Sequence, residues 1–350
     1  MTVPTSAPRR RDPWLDTARF VLIALVVFGH VLEPLADAHP WLHTCYRFVY
    51  AFHMPAFAFL SGAVAHDSID TNALRGIVFR LLWPYLVFQG LYALAAQLPL
   101  WPDAGPGSVT TPYWLLWYLL SLACWRFLLP LFAHLRGRLL IAVLVAVGAG
   151  CLGSIGYYLS LSRTLVFFPL FLMGWLWAPR WRELSKPAYM RVLAACTLGA
   201  MFVAAWLIPI DPRWLYGSYG YAALGSGPLV GALQRLLLLG IAVAGTLAVL
   251  ALVPRRHTPF SAPGARSLGA YVLQGFVIKI AVGAGFFAVL TRLPGAWLLP
   301  VLLVLAAVTA WVLASRSLQR LLDPITTPRW LEKRIWRPSI PAAHGQSVKR

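Results

Sequence analysis

The sequence predicts an all-α, polytopic integral membrane protein with about ten transmembrane helices. Hydrophobic residues make up 59% of its 350 residues and charged residues only 12%, against roughly 45–50% and about 25% in soluble domains. A mean hydropathy of +0.70, with 16 tryptophans, is more apolar surface than a water-soluble globule of this size can bury. The same balance excludes an intrinsically disordered chain, which needs few apolar residues and many charges.

Ten apolar segments are candidate spans, because a bilayer core requires ~20 apolar residues per helix. Charge clusters and Pro/Gly-rich breaks separate them at approximately 17–36, 42–65, 77–98, 113–132, 139–157, 164–179, 190–210, 229–253, 267–290 and 296–315. The first is interpreted as an uncleaved span, because no small-residue cleavage site follows it closely. The sequence is therefore divided into an N-terminal tail (1–13), a transmembrane domain (14–315) and a basic C-terminal tail (316–350).

The net charge of +19 comes from 30 Lys and Arg against 11 Asp and Glu. In a soluble protein this excess would suggest a nucleic-acid partner, but in a membrane protein positive charge accumulates in cytoplasmic loops. With a cytoplasmic N-terminus, 23 of the 30 cationic residues fall in cytoplasmic segments, and the opposite loops hold three, Arg163, Arg213 and Arg292. We therefore expect a multi-pass protein of the cell membrane with both termini in the cytoplasm, membrane lipids as partners and no nucleic acid.

The first span carries the densest set of ionisable residues, and such groups are costly in a bilayer unless paired or hydrated. His30 and Glu33 are three residues apart and share a helix face. Arg19 precedes His30 by eleven residues, which places it ~16 Å closer to the cytoplasm on the same side. His30 is either a general base oriented by Glu33, or the two residues cap the helix at the outer interface. Arg47 of the second span, level with His30, is a candidate counter-ion of Glu33.

The second span contains a histidine near the middle of the membrane. His53 is either a substrate ligand or a buried packing residue. Pro55, two residues later, breaks the backbone hydrogen-bond ladder. The small pair Ser61 and Gly62 then offers a position where two helices can approach closely.

Further candidates also have two interpretations. Arg75 and Arg80, at the inner mouth of the third span, suit bidentate phosphate binding or are ordinary cytoplasmic charges. Trp117 and Tyr118 are either part of an aromatic belt at the outer interface or a stacking surface for sugar rings. Other intramembrane polar residues are expected to face the protein interior, namely Arg126, Arg235, Gln274 and Lys279.

The sequence does not support a metal site, a disulfide framework or several common classes of enzyme. The four cysteines are isolated, with neither metal-ligand spacing nor the pattern of a disulfide framework, so no metal is expected. No motif of a serine hydrolase, a zinc protease, a P-loop protein or a dinucleotide-binding fold occurs with the neighbouring sequence that would give it meaning. The C-terminal tail predicts an amphipathic helix around residue 330 that suits an anionic membrane surface.

One ordered set of motifs joins these residues. It comprises Trp14-Leu15-Asp16 with Arg19 and Gly29-His30, Phe52-His53-Met54-Pro55 with Leu60-Ser61-Gly62, the segment with Arg75, Arg80 and Pro84-Tyr85, Trp117-Tyr118 with Arg126, Phe168-Pro169-Leu170-Phe171 with Gly174, and Ser267-Leu268-Gly269-Ala270-Tyr271. In this order the chain resembles membrane acyltransferase family 3, particularly its fucose 4-O-acetylase-like branch, over residues 14–315. The spacing of Arg19 and His30 is the most specific element.

The resemblance implies transfer of an acyl group, usually acetyl from acetyl-CoA as co-substrate, to a hydroxyl of an extracytoplasmic carbohydrate. It implies that His30 is catalytic, with Arg19 as its companion and Glu33 beside it. The region of Arg75, Arg80 and Tyr85 is then expected to hold the CoA phosphates. The residues expected to contact the acceptor are His53, Trp117, Tyr118, Arg126 and Gln274. Many relatives carry a histidine where this chain has Gln274, so a second-histidine role is in doubt there.

Two other functions fit parts of the sequence. A secondary transporter or flippase for a sugar-containing substrate would use intramembrane ionisable groups as a proton relay. Transporter folds often contain duplicated halves, and this sequence shows none. A lipid-linked glycosyltransferase would need acidic residues at a loop mouth, whereas the chain has only 11 acids, mostly isolated. The acyltransferase is therefore the favoured function.

Overall fold

The computed structural model of the protein describes residues 11–99, 101 and 108–336, and its described segments are helices joined by turns and loops. In chain order the helices are α1 (Pro13–Leu32), α2 (Pro40–Tyr50), α3 (His53–Ala63), α4 (Thr71–Ala95), α5 (Trp117–His134), α6 (Arg138–Gly148), α7 (Leu161–Leu184), α8 (Ala188–Leu207), α9 (Pro228–Leu252), α10 (Ser267–Gly283), α11 (Gly295–Leu313), α12 (Arg316–Thr326) and α13 (Arg329–Ile335). Short helices cover Arg213–Tyr216, Ser261–Gly264 and Phe286–Leu290.

The all-α membrane fold predicted from the sequence is confirmed. Seven of the helices are long and apolar enough to cross a membrane: α1, α4, α5, α7, α8, α9 and α11. The three other predicted spans are shorter or interrupted helices. Span 42–65 is divided between α2 and α3, span 139–157 becomes α6, and span 267–290 becomes α10 followed by Phe286–Leu290.

Local chemistry explains where the first helices begin and end. The Asp12 side chain accepts a hydrogen bond from the backbone N–H of Trp14 at 3.0 Å, and Pro13 occupies the first turn, where its missing N–H costs nothing. Pro55 has no N–H to continue the ladder from α2, so the chain bends at Phe52 and α3 begins at His53. This break places a kink beside the cavity described below.

Helix α1 lies at the centre of the bundle. It packs against α2, α3, α10, α11 and the short helix Ser261–Gly264. Most of its side chains are buried, including the polar residues Asp16, Thr17 and His30. We call the face at which α1 begins the inner face and the face at which it ends the outer face. Because α1 is central, its polar residues lie inside the protein instead of facing lipid.

Helices α3 and α7 cross at two glycines. A Cβ on Gly62 would lie 1.8 Å from the carbonyl oxygen of Phe171, and a Cβ on Gly174 would lie 1.9 Å from that of Phe59. No side chain fits between the two backbones at these positions. The close approach predicted at Ser61-Gly62 is therefore confirmed, with α7 as the partner helix.

Substitution of Gly174 by alanine is expected to destabilise the protein by on the order of 1–3 kcal/mol, because the added methyl overpacks this crossing. Gly199→Ala, in the middle of α8, is the matched control, because a Cβ there meets nothing within 4 Å. It removes a helical glycine and is expected to be neutral or slightly stabilising. Thermal unfolding of the purified protein measures both, and equal midpoints for the two variants would contradict the assigned crossing.

The C-terminal region packs on the inner face. Arg75 Nε contacts Glu332 Oε1 at 2.9 Å, Trp83 Nε1 donates to the carbonyl of Ile325 at 2.7 Å, and α12 also contacts α10 and α11. The helix predicted near residue 330 is present as α13. The part of the predicted N-terminal tail before Arg11, and residues 337–350, lie outside the described residues.

Candidate active site

A cavity of about 170 Å³ lies at the outer end of α1. We call it the outer cavity. Four of the site residues predicted from the sequence line it: His30, Glu33, His53 and Trp117. Helices α1, α3 and α5 each contribute to the lining, so the cavity brings together residues that are far apart in the sequence.

His30 occupies the last turn of α1 and is 9% exposed. Its Nδ1 lies 3.3 Å from Glu33 Oε2 and 3.4 Å from the Tyr50 hydroxyl. The described hydrogen bonds to this ring all involve Nδ1. A carboxylate that accepts from Nδ1–H fixes the tautomer in which Nε2 is the basic nitrogen. The arrangement can therefore present a proton acceptor to a molecule in the outer cavity.

His53 is the second histidine of the outer cavity. It is 2% exposed, and its Nδ1 lies 2.8 Å from the carbonyl oxygen of Val49. Its ring packs against Tyr50 with 4.8 Å between the centroids. Because a carbonyl oxygen can only accept a hydrogen bond, Nδ1 of His53 carries the proton in this contact and Nε2 is an acceptor.

The outer cavity also contains a cation that the sequence analysis assigned to an outer loop. Arg163 lies in the first turn of α7 and is half-buried. Its Nε donates to the carbonyl of Tyr216 at 3.2 Å and its Nη2 lies 3.5 Å from Ser218 Oγ. Its guanidinium carbon is 5.1 Å from the ring centre of Trp117 and 5.0 Å from that of Tyr157. These contacts hold a planar cation at the cavity wall.

Aromatic side chains form most of the remaining wall. The hydroxyls of Tyr46 and Tyr216 are 2.7 Å apart, and the rings of Tyr46 and Tyr50 stack at 4.0 Å. The ring of Trp114 lies 4.3 Å from that of His30. Such side chains offer flat apolar faces together with hydrogen-bonding hydroxyls. The outer cavity therefore suits a ligand that has both apolar faces and hydroxyl groups.

Left-handed backbone occurs at Trp114 and just before the turn that carries Arg163. Among the described non-glycine residues, positive φ occurs at Trp114 (35°), Leu159 (48°) and Ser160 (52°). Trp114 itself lies against His30, and Leu159 and Ser160 immediately precede the turn that carries Arg163. This backbone region costs on the order of 1–3 kcal/mol per residue and is concentrated at functional sites. Its position here supports the outer cavity as a working site.

A second cavity of about 230 Å³ lies towards the inner face. We call it the inner cavity. Arg19 and Arg80 both line it, and Arg19 Nη1 contacts Asp16 Oδ1 at 3.1 Å. Tyr118 lines it too, with its hydroxyl 2.8 Å from Ser61 Oγ. Arg19 therefore lies in a different cavity from His30, although both are on α1.

The two cavities meet at Met54 and Tyr271, which line both of them. The Tyr271 hydroxyl donates to the carbonyl of Leu115, which fixes the tyrosine at this junction. The consecutive residues Trp117 and Tyr118 line the outer and the inner cavity, respectively.

The remaining predicted site residues lie elsewhere. Arg75 pairs with Glu332 of α13, and the Tyr85 hydroxyl donates to the carbonyl of Val109 at 2.7 Å. Neither Arg75 nor Tyr85 is among the lining residues of the two cavities. Their roles in donor binding stay predictions.

Arg126 and Gln274 are also outside the two cavity linings. Gln274 is fully buried and its Nε2 lies 3.4 Å from the carbonyl of Tyr271, while its Oε1 has no hydrogen-bond partner among the described residues. Arg126 Nε is likewise buried without such a partner within that part of the chain. Their contacts with an acceptor stay predictions.

The structure corrects the pairing considered for Arg47. Its Nε donates to the carbonyl of His43 at 3.3 Å, and Glu33 contacts His30 instead. Arg47 lines a groove on the outer face, away from the outer cavity. Two residues at the same depth in neighbouring helices meet only if both point towards each other, and the sequence does not give that direction.

Several wall residues were not assigned to the site from the sequence, among them Tyr46, Tyr50, Tyr216 and Arg163. For one of these residues the sequence contained a clue to its position. Arg163 is one of the three cationic residues assigned to the outer side, against the strong preference of Arg for the cytoplasm. The tyrosines had no such signal, because aromatic residues are common throughout this chain.

No metal centre is formed by the residues that the structure describes. Within 11–99, 101 and 108–336, three or more His, Cys, Asp or Glu side chains are nowhere grouped to hold an ion.

The chain is similar to known proteins. A family model described as "Acyltransferase domain" matches residues 12–315. The chain belongs to acyltransferase family 3. The membership confirms the family resemblance, and members of this family are multi-pass membrane proteins, as the sequence predicts for this chain.

Two curated relatives of the chain are both called nodulation protein NolL. That of Sinorhizobium fredii is 28% identical over 191 residues, which are 50% of each chain. That of Mesorhizobium japonicum is 30% identical over 124 residues, which are 31% of this chain and 33% of the relative. The chain thus spans half or less of the length of these relatives. No solved structure matches it.

Proposed function

We propose that this acyltransferase moves an acyl group, acetyl in the simplest case, from acyl-CoA to a hydroxyl of a cell-surface or lipid-linked carbohydrate. The observation that carries the proposal is the pair of cavities that meet at Met54 and Tyr271, with His30 in the outer one. The donor enters the inner cavity from the cytoplasm and the acceptor enters the outer cavity from the opposite side. The acyl group is transferred where the cavities meet.

The wall of the outer cavity supports a carbohydrate acceptor. Tyrosine and tryptophan rings give apolar faces for the C–H faces of a sugar ring, and hydroxyls such as those of Tyr46 and Tyr216 exchange hydrogen bonds with its hydroxyls. Trp117, stacked under Arg163, is placed to form such a face. A purely apolar acceptor would leave these polar groups without partners.

His30 has the geometry of the general base. The acceptor hydroxyl gives its proton to His30 Nε2 while its oxygen attacks the thioester carbonyl. The tetrahedral oxyanion then collapses, the C–S bond breaks, and the CoA thiolate receives the proton from the imidazolium. Glu33, beside Nδ1, stabilises the imidazolium in between. This direct transfer produces an O-acyl sugar and free CoA without an acyl-enzyme.

Arg163 stabilises the oxyanion in this mechanism. It is the arginine that shares the outer cavity with His30, whereas Arg19 lines the inner cavity. A guanidinium that is fixed before the reaction stabilises developing negative charge without reorganising. Arg19, together with Arg80, is assigned to the donor side.

The proposed function is tested with purified protein, labelled acetyl-CoA and candidate sugar acceptors. We expect release of free CoA that depends on the acceptor and equals the amount of labelled O-acetyl sugar. Acceptor-independent CoA release at the same rate, or uptake of a sugar into vesicles without CoA release, would contradict the proposal.

A tryptophan at Met54 is expected to close the junction between the cavities. Met54→Trp should lower kcat for acyl transfer on the order of a hundredfold, because the reacting groups are held apart, while CoA and the acceptor still bind their own cavities. Single-turnover transfer and equilibrium binding measure the two effects separately. Met190→Trp, on α8 and away from the cavity linings, is the control. Normal turnover by Met54→Trp would contradict transfer through this junction.

A further inference from the structure

A third cavity, of about 290 Å³, opens at the inner face and is unusually rich in positive charge. Six side chains line it: Arg11, Arg266, Arg316, Gln319, Arg320 and Asp323. We call the four arginines the arginine cluster. They come from the segment before α1, the residue before α10 and the first two turns of α12, so the tertiary structure assembles the cluster.

Among the residues that the structure describes, little negative charge balances the arginine cluster. Asp323 is the single carboxylate in the lining, and its Oδ1 lies 3.5 Å from Gln319 Nε2. Burial, together with the charges of Arg316 and Arg11, lowers the pKa of Arg266 from its usual value. Like charges brought together in this way favour a bound polyanion, because its charge removes their mutual repulsion.

The cluster borders the inner cavity. Arg266 lines the charged cavity, and the next two residues, Ser267 and Leu268, line the inner cavity. A ligand with a charged head in the cluster can therefore extend a narrow, uncharged arm past α10 towards Tyr271. The Arg266 guanidinium is held in place through a hydrogen bond from its Nε to the carbonyl of Ala314 at 2.7 Å.

We infer that the arginine cluster binds the phosphate groups of the acyl-CoA donor, and that the pantetheine arm runs from there through the inner cavity to the junction. This inference rests on the proposed function for the identity of the donor. It moves the phosphate site away from Arg75, which pairs with Glu332. It also gives the C-terminal region a role, because α12 supplies Arg316 and Arg320 as one wall of the donor site.

The test compares binding of CoA, dephospho-CoA and pantetheine to purified protein in phosphatidylcholine nanodiscs. Arg316→Gln/Arg320→Gln is expected to weaken CoA binding about tenfold or more and dephospho-CoA binding less, because charge-assisted contacts to phosphate are lost. Pantetheine binding should be unchanged, which also shows that the variant is folded. Arg136→Gln, an exposed arginine on the turn between α5 and α6, is the matched control and should bind CoA normally.

A second variant is expected to bind CoA more tightly, and misfolding cannot produce that result. Asp323→Asn removes the carboxylate from the lining and is expected to tighten CoA binding about two- to fivefold. Equal CoA binding by wild type and the double variant would overturn the inference, as would equal losses for CoA and pantetheine. A loss confined to phosphatidylglycerol binding, measured in vesicles containing that lipid, would assign the cluster to a lipid headgroup and also overturn it. CoA binding at the cluster without any acyl transfer would instead contradict the proposed function alone.

Discussion

Replacement of His30 by alanine is expected to lower kcat for acyl transfer by about a thousandfold, because a general base contributes 10²–10⁴-fold to such reactions. The KM values for donor and acceptor should change little, since the imidazole acts mainly in the transition state. Steady-state kinetics with labelled acetyl-CoA, together with the amount of protein inserted in the membrane, measure this effect.

Two further histidines make this test specific. His66→Ala, in the exposed turn after α3, is the matched control and should retain full activity. His53→Ala distinguishes the two histidines of the outer cavity. Activity that survives in His30→Ala but disappears in His53→Ala would transfer the base to His53 and contradict the proposed mechanism.

Arg163→Gln is expected to lower kcat by about a hundredfold to a thousandfold, the loss typical of removing one donor to an oxyanion. Arg163→Lys keeps the charge but loses the planar fork that Tyr216 and Trp117 hold, so an intermediate loss is expected. Arg213→Gln is the control, because Arg213 is also an outer-face cation but pairs with Asp211 at 2.6 Å.

The kinetic pattern decides the role of Arg163. A fall in kcat with little change in KM indicates transition-state stabilisation, whereas a rise in the acceptor KM alone would make Arg163 a binding residue. Both variants should remain folded, which thermal unfolding of the purified protein checks. The result would separate the oxyanion role from simple recognition of the sugar.

The contact between His30 and Glu33 illustrates what could be predicted from the sequence. Residues three apart on a helix are neighbours whatever surrounds them, and the structure places the two side chains 3.3 Å apart. The interruption at Pro55 and the close approach at Gly62 were predictable for the same reason, because they follow from the absence of an N–H or of a side chain at one position.

The surroundings of Arg47, Arg75 and Arg163 could not be predicted from local sequence. The hypothesis of a pair between Arg47 and Glu33 used depth in the membrane alone and was wrong. Arg75 meets Glu332, a residue 257 positions later in the chain. Arg163 was counted as a loop charge, although α7 carries it into the outer cavity. Each of these pairings depends on how two helices are rotated about their own axes.

By itself, the sequence determined the class of protein, the approximate positions of ten apolar segments, and the polar stripe of α1. These follow from the thickness of the bilayer and the 3.6-residue helical period, which are local properties. Only the tertiary structure decided that Arg19 and His30 line different cavities, that the cavities meet at Met54 and Tyr271, and that four distant arginines form one cluster. Helix crossings such as that of Gly62 and Gly174 fix the rotation of each helix, and rotation determines which side chains share a space.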